Sequence, residues 1–313
     1  MKHTLPVIVI AGPTAIGKTA VAIELARSID AEIISADSRQ IYRLLDIGTG
    51  KPTRDELAAA PHHFIDILDP RQEYSAGQFS RAARARVDEI RSRGKNVIIA
   101  GGSGMYIEAF LYGFFAAEIR DKKLQLSLKK RAQIEGSDVL YRELQHVDPE
   151  RASELHPGDA HRIVRALEVF FSSGMKLSEL RKQPRVPAPF SFQLFGLYPA
   201  ERQELYDKIS LRVDHMLAQG LLDEVRSLLA QGISPLCNAM LTVGYREPLH
   251  WLRGGYTYGE MVEKIKQHSR NYAKKQLTWF RRYREMSWIA VQAGETPHSV
   301  AARIEQSVMR VAV

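Results

Sequence analysis

Two alternating rhythms of apolar residues run along the chain. Residues 5–10 form a short unbroken apolar run, the pattern of a strand buried on both faces. Glycines follow, and from 18 to 29 Val21, Leu25 and Ile29 recur at helical spacing. Residues 31–35 predict a second strand, 63–68 a third and 96–100 a fourth. Between the last two, 79–93 predicts a charged helix with Val87 and Ile90 inward and Gly94 as its stop. Strands alternating with helices in this way predict an α/β fold, a parallel sheet flanked by helices. After Gly113 the rhythm changes: 118–185 is helical and charged without a convincing strand, and closes on Pro184, Pro187 and Pro189. Strand character resumes at 192–197, mostly helix follows, and 287–291 predicts a late strand. The expected organisation is an α/β core of 1–117 and 191–313 with a helical insertion domain of 118–190.

Composition narrows the class. With 45% apolar residues over 313 positions the chain is too hydrophobic to be disordered. No apolar run reaches the roughly 18 residues that a membrane span needs, and no fixed internal period indicates a repeat protein. Cys237 is the single cysteine, so neither an intramolecular disulfide nor a cysteine zinc site is available. Met1, Lys2, His3 and Thr4 lead straight into the first strand, unlike a secretory leader, and a reducing cytoplasm is the expected location. The net charge of +8 and a pI near 9.5 point to a polyanionic partner or, more plainly, to a basic surface.

The sharpest chemical signal is Gly12-Pro13-Thr14-Ala15-Ile16-Gly17-Lys18-Thr19, which fills the phosphate-loop pattern G-x-x-x-x-G-K-[ST] between a predicted strand and a predicted helix. In such a loop the backbone N–H groups converge on phosphate oxygens and the helix N-terminus adds partial positive charge. Lys18 supplies a point charge, and Thr19 is the expected ligand of Mg²⁺. Nucleotide hydrolases usually add a strand that ends in a metal-binding Asp. Here the 96–100 strand ends in Gly101-Gly102-Ser103-Gly104, and Asp69 is only a weak substitute.

Asp37 follows the second strand, on the side of the sheet where ligands bind. It fits either a metal-binding or proton-accepting carboxylate or a simple helix N-cap, with Ser38-Arg39-Gln40-Ile41-Tyr42 as the helix start. The turn at 101–104 could meet a phosphate or merely allow close packing. Arg162 and Arg165 share one face of a helix predicted over 160–171, with Val164, Leu167 and Phe171 as its buried stripe. The stretch 258–284 interleaves Lys264, Lys266, Arg270, Lys274, Lys275, Arg281, Arg282 and Arg284 with Tyr272, Trp279, Phe280 and Tyr283. Cations with interspersed rings suit RNA, although a single amphipathic basic helix is more often core on one side and solvated on the other.

Taken in order, these residues resemble the tRNA dimethylallyltransferase (tRNA isopentenyltransferase) family, bacterial type. The resemblance rests on 12–19, on Asp-Ser-Arg-Gln-Ile-Tyr at 37–42, on Asp46-Ile47-Gly48-Thr49 with Lys51-Pro52, and on His62-His63-Phe64. It continues through Gly-Gly-Ser-Gly-Met-Tyr at 101–106, Arg-Ile-Val-Arg-Ala-Leu-Glu at 162–168, and Gly220-Leu221 with Glu224-Val225. Val-Gly-Tyr-Arg-Glu at 243–247 and Tyr-Ala-Lys-Lys-Gln-Leu-Thr-Trp-Phe-Arg at 272–281 complete it. It covers nearly the whole chain.

The resemblance implies transfer of a dimethylallyl group from dimethylallyl diphosphate to N6 of adenosine 37, beside the anticodon, in tRNAs reading codons that begin with U. It implies Asp37, Lys18, Thr19 and Arg212 as the catalytic set and 12–19 (Gly12, Pro13, Thr14, Ala15, Ile16, Gly17, Lys18, Thr19) as the diphosphate cradle, with Mg²⁺ on Thr19. Contacts to tRNA are implied for Asp37, Ser38, Arg39, Gln40 and Ser103, for His161, Arg162, Ile163, Val164 and Arg165, and for Leu241, Thr242, Val243, Gly244, Tyr245 and Arg246. Lys274, Lys275, Gln276, Leu277, Thr278, Trp279, Phe280 and Arg281 complete that set. Ser103 stands where the family usually has Thr, and 114–126 lacks the family's Pro-containing link. The expected partners are tRNA and dimethylallyl diphosphate, with no membrane, and a monomer is expected. The alternatives are an adenylate isopentenyltransferase acting on free AMP or ATP, a P-loop small-molecule kinase in which Asp37 activates a hydroxyl, and a non-catalytic RNA-binding protein.

Overall fold

The computed structural model describes residues 5–113 and 119–311. Its sheet holds β1 (Val7–Ala11), β2 (Ala31–Ser35), β3 (His62–His63), β4 (Asn96–Gly101), β5 (Phe192–Pro199) and β6 (Ser287–Val291), in the order β3-β2-β4-β1-β5-β6. Every pairing is parallel. In the central register Ile8 faces Ile98 on one side and Gln193 on the other, and Ile10 faces Ala100 and Phe195.

Helices cover the sheet, so β1, β2 and β4 are buried without alternation, and Glu32 of β2 is buried with ion-pair partners in His63 and Arg93. Ile8, Ile10 and Ile98 pack in one cluster with Val21 and Leu25 of helix Lys18–Ser28 and with Val300, Ile304 and Val308 of helix Pro297–Val311. A second cluster joins Ile41, Tyr42 and Leu45 to Val213, Val225, Met240, Tyr245 and Ile265. It anchors the loop after β2 to the helices that follow β5. Because β1 sits between β4 and β5, the chain leaves the ends of β1, β2 and β4 toward one cluster of loops, the usual ligand position in such a sheet.

The structure departs from the hydrophobic pattern in two places. The strand expected over 63–68 is reduced to His62–His63, because Phe64 (φ 65°) and Asp66 (φ 56°) take left-handed conformations that end an extended run. Leu68 then makes an isolated parallel bridge to Tyr42. The helix expected to start after Asp37 is absent, and residues 38–41 form turns instead. The Asp37 carboxylate accepts the N–H of Arg39 at 2.8 Å and of Gln40 at 3.4 Å, so it closes a local turn rather than capping a helix.

The chain divides into two compact units, 1–111 with 188–313, and 112–187. The hydrophobic pattern predicts the insertion at 118–190. Ala188 already donates its N–H to Leu111 O at 2.7 Å, which returns the chain to the first unit before β5, and residues 114–118 lie outside the described residues. The second unit contains helices Lys122–Ile134, Ser137–Val147, Pro149–Ser153, Ala160–Ser173 and Leu177–Lys182. They enclose Leu128, Leu140, Leu144, Ile163, Leu167 and Leu180. Phe171, expected in this core, is exposed; the stripe runs through Ile163, Val164, Ala166, Leu167 and Val169 instead. Among the described residues no helix is long and apolar enough to cross a membrane.

Candidate active site

The loop 12–17 turns sharply out of β1. Ala15 holds φ 63° there, a left-handed conformation that costs a non-glycine residue about 1–2 kcal/mol. Helix Lys18–Ser28 then begins without a side-chain cap and without an acidic residue in its first turn. Its opening N–H groups and positive dipole end are thus left for an anion.

Three charged side chains meet beside this loop. Lys18 Nζ donates to Pro13 O at 2.6 Å. Burial pushes the Lys18 ammonium down to about 8; the Asp37 carboxylate acts against that shift and the Arg212 guanidinium adds to it. Arg212, on helix Arg202–Ala218, is drawn below the usual arginine range by burial, again opposed by Asp37. Its Nη2 points at Thr49 O, 3.5 Å away. Two partly desolvated cations and one carboxylate therefore share the end of the sheet. A polyanion entering the loop would recover the charge stabilisation that burial removes from Lys18 and Arg212.

The neighbouring loop supplies the other wall. Ser103 Oγ accepts the N–H of Ser38 at 2.9 Å and lies 3.1 Å from Ser38 Oγ, while Ser103 N–H donates to Ala36 O at 3.1 Å. The ends of β2 and β4 press so closely that a Cβ on Gly101 would stand 2.2 Å from Ala36 O. Tyr272 borders this wall: the residue is 41% exposed, but its hydroxyl end is enclosed and lies near the Asp37 charge, which together push the phenol up to about 12.

Several expected contact residues are spent within the protein. Gln40 is buried, accepting from Ser35 Oγ at 3.2 Å and donating to Gly50 O at 3.0 Å, so its amide does not face a ligand. Arg39 Nη1 donates to Asn238 O at 2.7 Å. In 241–246, Leu241 is exposed, whereas Tyr245 is buried and donates to Glu224 Oε1 at 2.5 Å. Gly244 N–H and Arg246 Nε both bond Glu247, at 2.8 and 2.7 Å. On helix Tyr258–Phe280, Lys274 and Lys275 are solvent-facing, as is Arg281 just beyond, but Gln276 and Phe280 are buried. Trp279 lies under the Arg282 guanidinium, 3.8 Å from its ring centre. The stacking role anticipated for the aromatics therefore does not extend to Phe280, which is core.

In the second unit His161 and Arg162 are exposed, with Arg162 3.2 Å from Asp159. Ile163 and Val164 point into the core and offer no side chain to RNA. Arg165 donates to Ile119 O at 2.7 Å and to the buried Glu168 at 2.9 Å.

A divalent ion fits this donor set in one way. Among the described residues no group of three His, Cys, Asp or Glu could hold a metal by itself. Mg²⁺, however, usually keeps several waters and takes one or two protein oxygens together with substrate phosphates. The Thr19 hydroxyl, at the start of the helix after the loop, matches that requirement.

Three residues named in the sequence only as members of motifs take structural roles that the motifs do not specify. Glu224 accepts the N–H groups of Asp46 (3.0 Å), Ile47 (2.8 Å) and Gly48 (3.2 Å) besides the Tyr245 hydroxyl, and so pins the loop beside Arg212. Tyr272 reads in the sequence only as one ring in the basic stretch. Gln276 falls on the buried stripe with Ala273 and Phe280, and a polar residue at such a position signals a bonded partner.

Comparison with known proteins fits this geometry. Residues 40–283 match the family model described as IPP transferase. A relative named tRNA dimethylallyltransferase 1, from Trichlorobacter lovleyi, is 45% identical over 298 residues, 95% of this chain and 97% of its own. The crystal structure of a tRNA isopentenylpyrophosphate transferase from Bacillus halodurans superposes with a TM-score of 0.73 at 34% identity, covering 99% of this chain and 98% of that one. A eukaryotic dimethylallyltransferase caught acting on tRNA gives a TM-score of 0.75 at 29% identity, over 91% of this chain and 73% of its own.

Proposed function

We propose that this chain, which belongs to the IPP transferase family, transfers a dimethylallyl group from dimethylallyl diphosphate to N6 of adenosine 37 in tRNAs that read codons beginning with U. The observation that carries the reading is the meeting of Lys18, Arg212 and Asp37 at the mouth of an uncapped phosphate loop. Cations sit where a diphosphate leaves, and a carboxylate sits where an amine must lose a proton.

In the reaction the bond between the allylic carbon and the diphosphate oxygen breaks and the N6–carbon bond forms. Lys18 and Arg212 stabilise the charge that builds on the departing diphosphate, and their enclosed setting strengthens that effect. Asp37 accepts the N6 proton as the new bond forms. Thr19 and diphosphate oxygens would hold Mg²⁺, which supplies further charge neutralisation when bound. The adenine must leave the anticodon-loop stack to reach Asp37, at a cost of a few kcal/mol. Contacts of Lys274, Lys275 and Arg281 with the RNA backbone offset that cost. A tRNA substrate supports a cytoplasmic location for this activity.

The test is an acceptor comparison. The protein is incubated with labelled dimethylallyl diphosphate and Mg²⁺, and either unmodified tRNA or AMP is offered. Label in tRNA alone is expected. Label in AMP alone would indicate the adenylate enzyme, and no label in either would sink the transferase reading.

A further inference from the structure

Gln276 lies in the middle of the segment expected to face RNA, between Lys275 and Leu277, yet its side chain is turned inward and only 6% exposed. Its Oε1 accepts the N–H of Thr14 in the phosphate loop at 2.8 Å. Its Nε2 donates to Gly102 O at 2.9 Å. One amide thus ties together three segments that are far apart in sequence. Gly102 makes room for it, since a Cβ there would stand 2.1 Å from Nε2.

The two loops it holds are the two walls of the site. Thr14 belongs to the cradle of the leaving group, and Gly102 precedes Ser103, which fixes Ser38 beside Asp37. We propose that Gln276 is a positioning residue which sets the phosphate loop against the Asp37 side of the site, rather than a residue that binds RNA. The proposal rests on the transferase reading above.

The partners dictate which atom goes where. Thr14 offers a donor and needs an oxygen; Gly102 offers an acceptor and needs an N–H or O–H. A glutamate at this position would direct a second acceptor at Gly102 O when ionised. When protonated it would reproduce the glutamine pattern, its carbonyl oxygen accepting from Thr14 and its O–H donating to Gly102. A merely space-filling residue would show no such dependence on pH.

The experiment compares wild type, Gln276→Met and Gln276→Glu with dimethylallyl diphosphate and unmodified tRNA. Steady-state kinetics are measured from pH 6 to 8, and RNA binding is measured separately. Gln276→Met should lower kcat/KM for the donor by about 10- to 100-fold, since both hydrogen bonds disappear at a buried site. Its RNA Kd should stay within about twofold of wild type, because the amide does not face solvent. Gln276→Glu should be impaired at pH 8 and recover relative to wild type as the pH falls to 6, with Gln276→Met unchanged across that range. The inference is overturned if Gln276→Met keeps its donor kcat/KM within threefold, if its defect lies in RNA Kd, or if the Gln276→Glu ratio is independent of pH. Lack of transfer by wild type would instead defeat the transferase reading itself.

Discussion

Donor capture should titrate with Lys18. Burial pushes its ammonium down to about 8, against 10.5 for an ordinary lysine. The protonated form binds a diphosphate and the neutral form does not. With that midpoint the side chain is roughly nine-tenths charged at pH 7 and roughly one-tenth charged at pH 9, so donor binding falls about tenfold, or about 1.4 kcal/mol. The readout is kcat/KM for dimethylallyl diphosphate at saturating tRNA between pH 7 and 9.5, which reports groups of the enzyme before the donor binds. The profile should be level near pH 7 and fall with unit slope above about pH 8. Lys18→Arg should flatten the profile, because a guanidinium keeps its proton throughout this range. A wild-type profile that stays level to pH 9.5, or a break that survives in Lys18→Arg, would refute the reasoning.

Other substitutions test separate parts of the account. Asp37→Asn removes the proton acceptor while leaving an oxygen for the turn to Arg39, so kcat should drop by about 10²- to 10⁴-fold with tRNA Kd little changed; near-normal turnover would remove Asp37 from its role. Gly101→Ala drives a Cβ against the Ala36 carbonyl, where backbone must move, and should destabilise the protein by about 1–3 kcal/mol in a denaturant titration. Neutralising Lys274 or Arg281 should weaken tRNA binding and lower the slope of log K against log salt by about one unit for each phosphate left without its cation, measured by filter binding across a salt series.

The parts of the fold that are legible in the sequence are those where local pattern and final environment agree. β2 and β6 fall on 31–35 and 287–291: β2 is buried along its whole length in the parallel sheet, whereas β6, at the sheet edge, buries only Ile289 and Val291 and reads from its alternation. The phosphate loop is equally plain, since its backbone shape depends on glycines within eight residues. Tertiary contacts decide the rest. Phe64 and Asp66 break a strand through positive φ values that their side chains do not announce. Asp37 ends in a turn because its carboxylate bonds nearby amides, which removes the helix start. At the site, the directions of the side chains are not legible in the sequence. Gln40 and Gln276 carry amides suited to RNA, and each is consumed within the chain, Gln40 by the Ser35 hydroxyl and Gly50 O and Gln276 by the backbone of Thr14 and Gly102. Ile163, Val164 and Phe280 fall inside motifs whose exposed members face solvent, and helical geometry turns these three inward.

The most direct measurement is nucleoside and fragment mass spectrometry of tRNA after incubation with the protein, dimethylallyl diphosphate and Mg²⁺. N6-dimethylallyladenosine is expected at the single position 3′ of the anticodon, with one diphosphate released per modified tRNA and far slower formation by the Asp37→Asn variant. Unmodified RNA, modification scattered over other adenosines, or transfer of phosphate from ATP in place of the prenyl group would contradict it.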